Sequence, residues 1–114
     1  MKQFKPFLEH ILEETDYLNH EVENLTYPEF LQNETLKRSF VRALEVTGEA
    51  AKNIPDDVRE RYPKIPWKDM AGLRDILIHH YFGINYKIVW DVVKNQVPGL
   101  RLNIQAVLKD IEKE

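Results

Sequence analysis

The chain has 114 residues, no cysteine and a formal net charge of -3, a size at which residues 1–114 form one domain able to bury a core without staples. The missing cysteines exclude disulfides and thiolate metal sites and fit a reducing cytoplasm, and the mildly acidic total excludes wholesale coating of nucleic acid. No apolar run approaches the roughly 20 residues that a membrane-spanning helix needs, and "MKQFKPFLEHILEE" turns acidic too early for a signal peptide.

The charge is uneven along the chain. Residues 1–36 carry eight acids and two bases, a net of -6, and residues 37–114 carry eleven acids and fourteen bases, a net of +3. An acidic first helix with a solvated face accounts for this asymmetry.

Helical spacing runs through the whole sequence, and neither strand alternation nor an Asn-Gly hairpin turn occurs. The first helix is predicted from about Gln3 to Leu25, with an apolar stripe at Phe4, Phe7, Leu8, Ile11, Leu12, Leu18, Val22 and Leu25. "LTYPEF" ends it: Thr26 can cap and Pro28 suits a first helical turn, so a short turn through Leu31 follows. A second long helix runs from near Asn33 to near Asn53 and buries Leu36, Phe40, Ala43, Leu44, Thr47, Ala51 and Ile54. Its small residues Gly48, Ala50 and Ala51 allow another helix to pack closely, at a cost of about 1 kcal/mol for the glycine.

Pro55, Pro63 and Pro66 fix a connector in which "DDVRERY" can form a short helix. The third long helix covers about Pro66 to Phe82, with Gly83 ending it. A fourth, about Tyr86 to Gln96, buries Ile88, Val89, Val92 and Val93. "VPGL" interrupts, and a last helix from about Leu100 to Lys113 presents Leu100, Ile104, Val107, Leu108 and Ile111. The fold class is therefore all-α, an antiparallel up-and-down bundle of four to five helices. Trp67 and Trp90 read as core or interface anchors, not as base-stacking platforms.

The third long helix carries the chemistry, in "GLRDILIHHYFG". At about 100° per residue, Met70, Leu73, Leu77 and Tyr81 share one stripe with Arg74 beside it. Asp75 and His79 share a nearly opposite strip with Phe82, while Ile76 and His80 occupy another sector. A helix apolar in so many directions is central, or it packs on its own bundle and on a partner, and a homodimer is the economical form. A buried arginine needs an acceptor: Arg74 either ties to a carboxylate in the bundle or takes one from a ligand. His79 can bond Asp75 one turn back, and His80 reads as partly exposed. His79 and His80 are adjacent and point apart, and His10 and His20 are ten apart, so no metal site is expected.

Arginine and histidine together suit phosphodiester cleavage by a neighbouring 2′-hydroxyl. That reaction needs a proton acceptor, a proton donor and a cation on the phosphorane, and no metal or other cofactor. Histidine titrates near neutrality, and the guanidinium fork matches phosphate oxygens. On a straight helix Arg74 and His79 are about 140° apart, so a bend near the helix end or a second facing copy has to bring them together.

"Arg74, four residues, His79, one residue, Tyr81" resembles the R-x4-H-x-Y motif of the HepT-type HEPN proteins. "GEAAKNIPDDVRERYPKIPWKDMAGLRD" is similar to that family's long central signature, and "YKIVWDVVKNQVPGL" to its C-terminal part, so the resemblance covers about Asn33 to Leu100. It implies a HEPN-type helical bundle, usually a homodimer whose two motif helices line a cleft near the dimer axis. It also implies metal-independent RNA cleavage, used as the toxin of a toxin–antitoxin pair, in the cytoplasm. The implied partner is the MNT antitoxin, a minimal nucleotidyltransferase that can transfer AMP to the motif tyrosine.

Carried onto this chain, Arg74 and His79 are the catalytic pair and Tyr81 the AMP acceptor, with Asp75 and His80 as supporting residues. The family often has asparagine where Asp75 stands; a carboxylate accepts but cannot donate, so Asp75 can orient His79 yet repels phosphate. Lys64, Lys68 and Lys87 are candidate RNA contacts. Two other readings fit the same residues: a non-catalytic helical module that binds a nucleotide as the regulatory partner of a nucleotidyltransferase, and a purely structural dimer.

Overall fold

The structure, a computed structural model, describes residues 3–114, with the side chain of Tyr81 outside the described set. Its helices are α1 (Lys5–Val22), α2 (Tyr27–Gln32), α3 (Glu34–Lys52), α4 (Asp56–Arg61), α5 (Trp67–His79), α6 (Tyr86–Asp91) and α7 (Val97–Glu112), and no strand occurs among the described residues.

Local chemistry sets the boundaries. Thr26 and Glu29 form a reciprocal capping box at the start of α2, satisfying two backbone donors that the helix leaves open. Asn33 caps α3 by accepting from the Leu36 N–H at 3.0 Å. α5 starts after Pro66 and stops at His79, three residues earlier than its periodicity predicts. A tighter 3₁₀ turn, Tyr81–Gly83, carries the chain out of it.

The expected interruption at "VPGL" is absent. Residues 86–112 are one helical run, with a π-helical segment, Val92–Gln96, joining α6 to α7. Pro98 has no N–H to offer and sits in the first turn of α7, directly after the π segment. The wider turn reroutes the ladder, so that the Val97 N–H reaches the Val92 carbonyl.

Two core clusters fix the topology. One joins the beginning of α1 (Leu8, Ile11) to the end of α3 (Ala50, Ala51), the beginning of α5 (Trp67, Met70) and the end of α7 (Ile104, Val107, Ile111). The other joins the end of α1 (Leu18, Val22) to the beginning of α3 (Phe40, Leu44), the end of α5 (Leu77) and α6 with its π segment (Val89, Trp90, Val93). Successive long helices therefore alternate in direction, as in an up-and-down bundle. α3 is the central element, packed on α1 along one side and on α5 along the other.

Both tryptophans are buried, and the Trp67 indole N–H donates to the Tyr62 carbonyl at 3.1 Å. Ile88, expected in the core, is half exposed. Thr15, absent from the expected stripe, is fully buried and donates its hydroxyl proton to the Ile11 carbonyl at 2.8 Å. None of the described helices is long and apolar enough to cross a membrane.

Candidate active site

Arg74 projects from the middle of α5 against α3, at the closest approach of the two helices. A methyl group built on Gly48 would lie 2.3 Å from Arg74 Cβ and 2.5 Å from the Met70 carbonyl oxygen. The glycine thus lets the backbones meet and clamps the root of the arginine side chain. The guanidinium is held at its other end. Arg74 Nη1 donates to Asp75 Oδ1 at 2.9 Å, and Nη2 lies 3.2 Å from Glu49 Oε2 on α3. Lys52, also on α3, donates from Nζ to the same Asp75 Oδ1 at 3.3 Å. The Arg74 hydrogen bond holds the Asp75 carboxyl below its ordinary range; burial opposes it and Lys52 assists. Among the described residues, Arg74 Nε is buried with no hydrogen-bond partner.

The guanidinium opens into a groove of about 250 Å³ built over α3. Arg42, Glu45, Val46, Glu49, Ala50 and Asn53 recur at three- and four-residue steps and form its floor, on one face of that helix. Phe7 and His10 of α1 form one wall, and Arg74 and Ile78 of α5 the other. Two arginines and two glutamates line it, so its fixed charge cancels, with His10 as the remaining titratable group.

The residues singled out from sequence separate in space. His79, at the last position of α5, is exposed and does not line the Arg74 groove. Among the described residues no hydrogen bond joins Asp75 to His79; the Asp75 carboxylate is turned to Arg74 and Lys52 instead. His80 is exposed and lines a second groove between α5 and α6, with Leu73, Ile76, Leu77, Ile88 and Val89. Tyr81 opens the 3₁₀ turn directly after α5, but the AMP-acceptor role assigned to it concerns a side chain outside the described residues.

The three lysines also disperse. Lys64 lines a cleft with Tyr62 and Asp110, Lys68 an open cleft with Asp56 and Arg59, and Lys87 pairs with Asp91 at 3.3 Å and covers the Tyr27 ring. None of them reaches the Arg74 groove. Among the described residues no three His, Asp or Glu side chains gather as a metal-binding group.

Gly48, expected as a site of close helix approach, is that contact, and its neighbours Glu49 and Lys52 are what sequence reasoning left without a role. Gly48, Glu49 and Lys52 are three of the five residues of "GEAAK". One clamps the arginine stem, one pairs with its head, and one shares its aspartate. The segment was visible as part of a family signature, and its tertiary role is to face the R-x4-H segment from the neighbouring helix. His10 and Arg42 complete the groove from positions that no spacing connects to Arg74.

Comparison with known proteins places the chain among relatives of one kind. The family described as Ribonuclease HepT-like matches residues 9–107. The chain is 44% identical over 109 residues to "Putative RNase TTE0752" of Caldanaerobacter subterraneus subsp. tengcongensis, covering 96% of this chain and 97% of that one. It is 48% identical over 113 residues to "Putative RNase MJ0127" of Methanocaldococcus jannaschii, covering 99% and 93%. With "Probable ribonuclease HepT" of Thermococcus cleftensis it shares 36% identity over 108 residues, covering 95% and 98%. No solved structure gives a significant match.

Proposed function

The chain belongs to the HepT-like ribonuclease family, and on that premise we propose that it is a metal-independent RNA endonuclease, the toxin of a HEPN/MNT toxin–antitoxin pair. The observation that carries this reading is the placement of Arg74, a clamped arginine whose guanidinium opens into a groove wide enough for a sugar-phosphate.

In the proposed reaction a 2′-oxygen forms a bond to the adjacent phosphorus while the bond to the 5′-oxygen breaks. The products are a 2′,3′-cyclic phosphate and a 5′-hydroxyl. The 2′-hydroxyl loses a proton to a base, and the leaving 5′-oxygen receives one from an acid. Arg74 neutralises the phosphorane oxygens, and His79 moves a proton at neutral pH. Arg74 and His79 lie on different faces of α5, about 140° apart, so the protein acts as a homodimer in which each α5 supplies what the other lacks. The partner is an MNT-type nucleotidyltransferase that silences the toxin by transferring AMP to Tyr81, and the pair works in the cytoplasm.

The second reading, a nucleotide-binding regulatory partner of a nucleotidyltransferase, is favoured by one feature: within a protomer His79 stands apart from the Arg74 groove. Incubation of the purified protein with RNA in the presence of a chelator separates the two. The nuclease reading expects cleavage that Arg74→Ala and His79→Ala each abolish, with melting temperatures close to wild type. Intact RNA with the wild type favours the binding module. A melting temperature that collapses in Arg74→Ala, with activity falling only in proportion to unfolding, favours a structural dimer.

A further inference from the structure

The two ends of the Arg74 side chain are held differently. Its stem is fixed by the Gly48 contact and its Nε is buried, so only the two terminal nitrogens remain at the groove, and each already meets a carboxylate. Asp75 follows Arg74 on the same helix and is shared with Lys52, so its charge is compensated twice. Glu49 stands on the opposite helix, lines the groove and has a side chain 50% exposed. Among the described residues its carboxylate has Arg74 as its one ion-pair partner.

A carboxylate and a phosphodiester present the same thing to a guanidinium: two oxygens sharing one negative charge. Two anions crowded on Nη2 repel each other, so a phosphodiester that binds there weakens the hold of Glu49. Glu49 is the weaker-held of the two carboxylates, with one cation partner against the two of Asp75, and it lines the groove.

We propose that Glu49 is a placeholder for the substrate. In the free protein it occupies Nη2 of Arg74, and the phosphodiester of the RNA displaces it on binding. The proposal rests on the ribonuclease reading and adds a residue that sets substrate affinity through Arg74. Displacement leaves the guanidinium in place, because Gly48 and Asp75 hold it independently. Glu49 therefore weakens the encounter with RNA without contributing to the chemical step. Without it, a fixed arginine beside Phe7, Val46 and Ile78 would hold any passing anion.

The test compares Glu49→Gln and Glu49→Asp with the wild type in the full chain. Two quantities are read: kcat and KM on a single-stranded RNA oligonucleotide with a fluorescent reporter, and Kd for the 2′-O-methyl form of that oligonucleotide, which binds but cannot be cleaved. Glu49→Gln is expected to lower KM and Kd by about three- to tenfold, with kcat changed less than about twofold. Glu49→Asp, which keeps the charge, is expected to restore values near wild type. A Gln variant that loses kcat at unchanged KM would make Glu49 a support for the chemistry and overturn the proposal. So would a lowered melting temperature with both constants unchanged. Wild-type protein that binds the analogue but leaves RNA intact sinks the ribonuclease reading alone, since the ratio of Kd values still decides the displacement. A wild type that does neither overturns both.

Discussion

Gly48 on α3 and Arg74 on α5 are in contact so close that no side chain fits between them: a Cβ on the glycine would stand 2.3 Å from the arginine's own Cβ. A second obstacle, the Met70 carbonyl at 2.5 Å, is backbone and cannot turn aside. The requirement for glycine here comes from proximity, since none of the described glycines has a positive φ.

Replacing Gly48 with alanine therefore sets two effects against each other. Alanine favours a helix interior by about 1 kcal/mol. Overpacking at a rigid helix contact costs about 1–3 kcal/mol, and here the obstacle includes main chain. The expected net result is a lower melting temperature, with a larger loss of RNA cleavage as α5 is pushed away and Arg74 with it. Gly72, on α5 itself, has nothing within 4 Å of a built Cβ. Gly72→Ala should raise the melting temperature, and parallel thermal melts of the two variants decide whether contact or helix propensity governs each site.

The boundaries of α2 and α3 were legible because their causes are local. Thr26 with Glu29, and Asn33 three residues before Leu36, are caps written into consecutive residues. The end of α5 and the continuity across Pro98 were not. The π segment depends on a five-residue carbonyl step that no periodicity announces, and Thr15 hides its hydroxyl on the Ile11 carbonyl, so polarity alone misplaces it. At the site, the need of Arg74 for a carboxylate was legible, but Asp75 was expected on His79 and turns to Arg74 instead. Glu49 and Lys52 reach the same two side chains from over twenty residues away, through helix packing. Charge gave no hint either, because the lysines near the motif in sequence turn into other clefts.

The far end of the bundle predicts an alkaline transition. The Tyr62 hydroxyl donates to Asp110 Oδ2 at 2.6 Å, joining the segment after α4 to the last helix. Burial first, and then this bond to a carboxylate, pushes the Tyr62 hydroxyl up from 10.0 to about 12. Its folded state thus holds the proton more tightly than the unfolded chain does. The stabilisation is fully present below pH 10 and is lost as pH rises toward 12. Melting temperature should fall across that window more steeply in wild type than in Tyr62→Phe, which removes the titrating group and, at neutral pH, costs the bond. Equal slopes for the two proteins would show that Tyr62 does not govern the transition.

The homodimer reading makes a prediction at α5. Ile76 is 57% exposed and Ile88 is 50% exposed, on the two sides of the groove that His80 lines between α5 and α6. Large apolar side chains left this open in a protomer contribute little to its own fold, and such a pair, one on the motif helix α5 and one on α6, fits a self-complementary contact. On the homodimer reading, this contact brings one α5 against the other. Ile76→Asp should convert a dimer into a monomer in sedimentation at micromolar concentration and abolish RNA cleavage. Its protomer should keep wild-type helicity, because the substituted position is already in water. A variant that stays dimeric and active removes this face from the interface. A wild type that is monomeric at every concentration, yet cleaves RNA, removes the need for a second copy altogether and requires Arg74 and His79 to act within one chain.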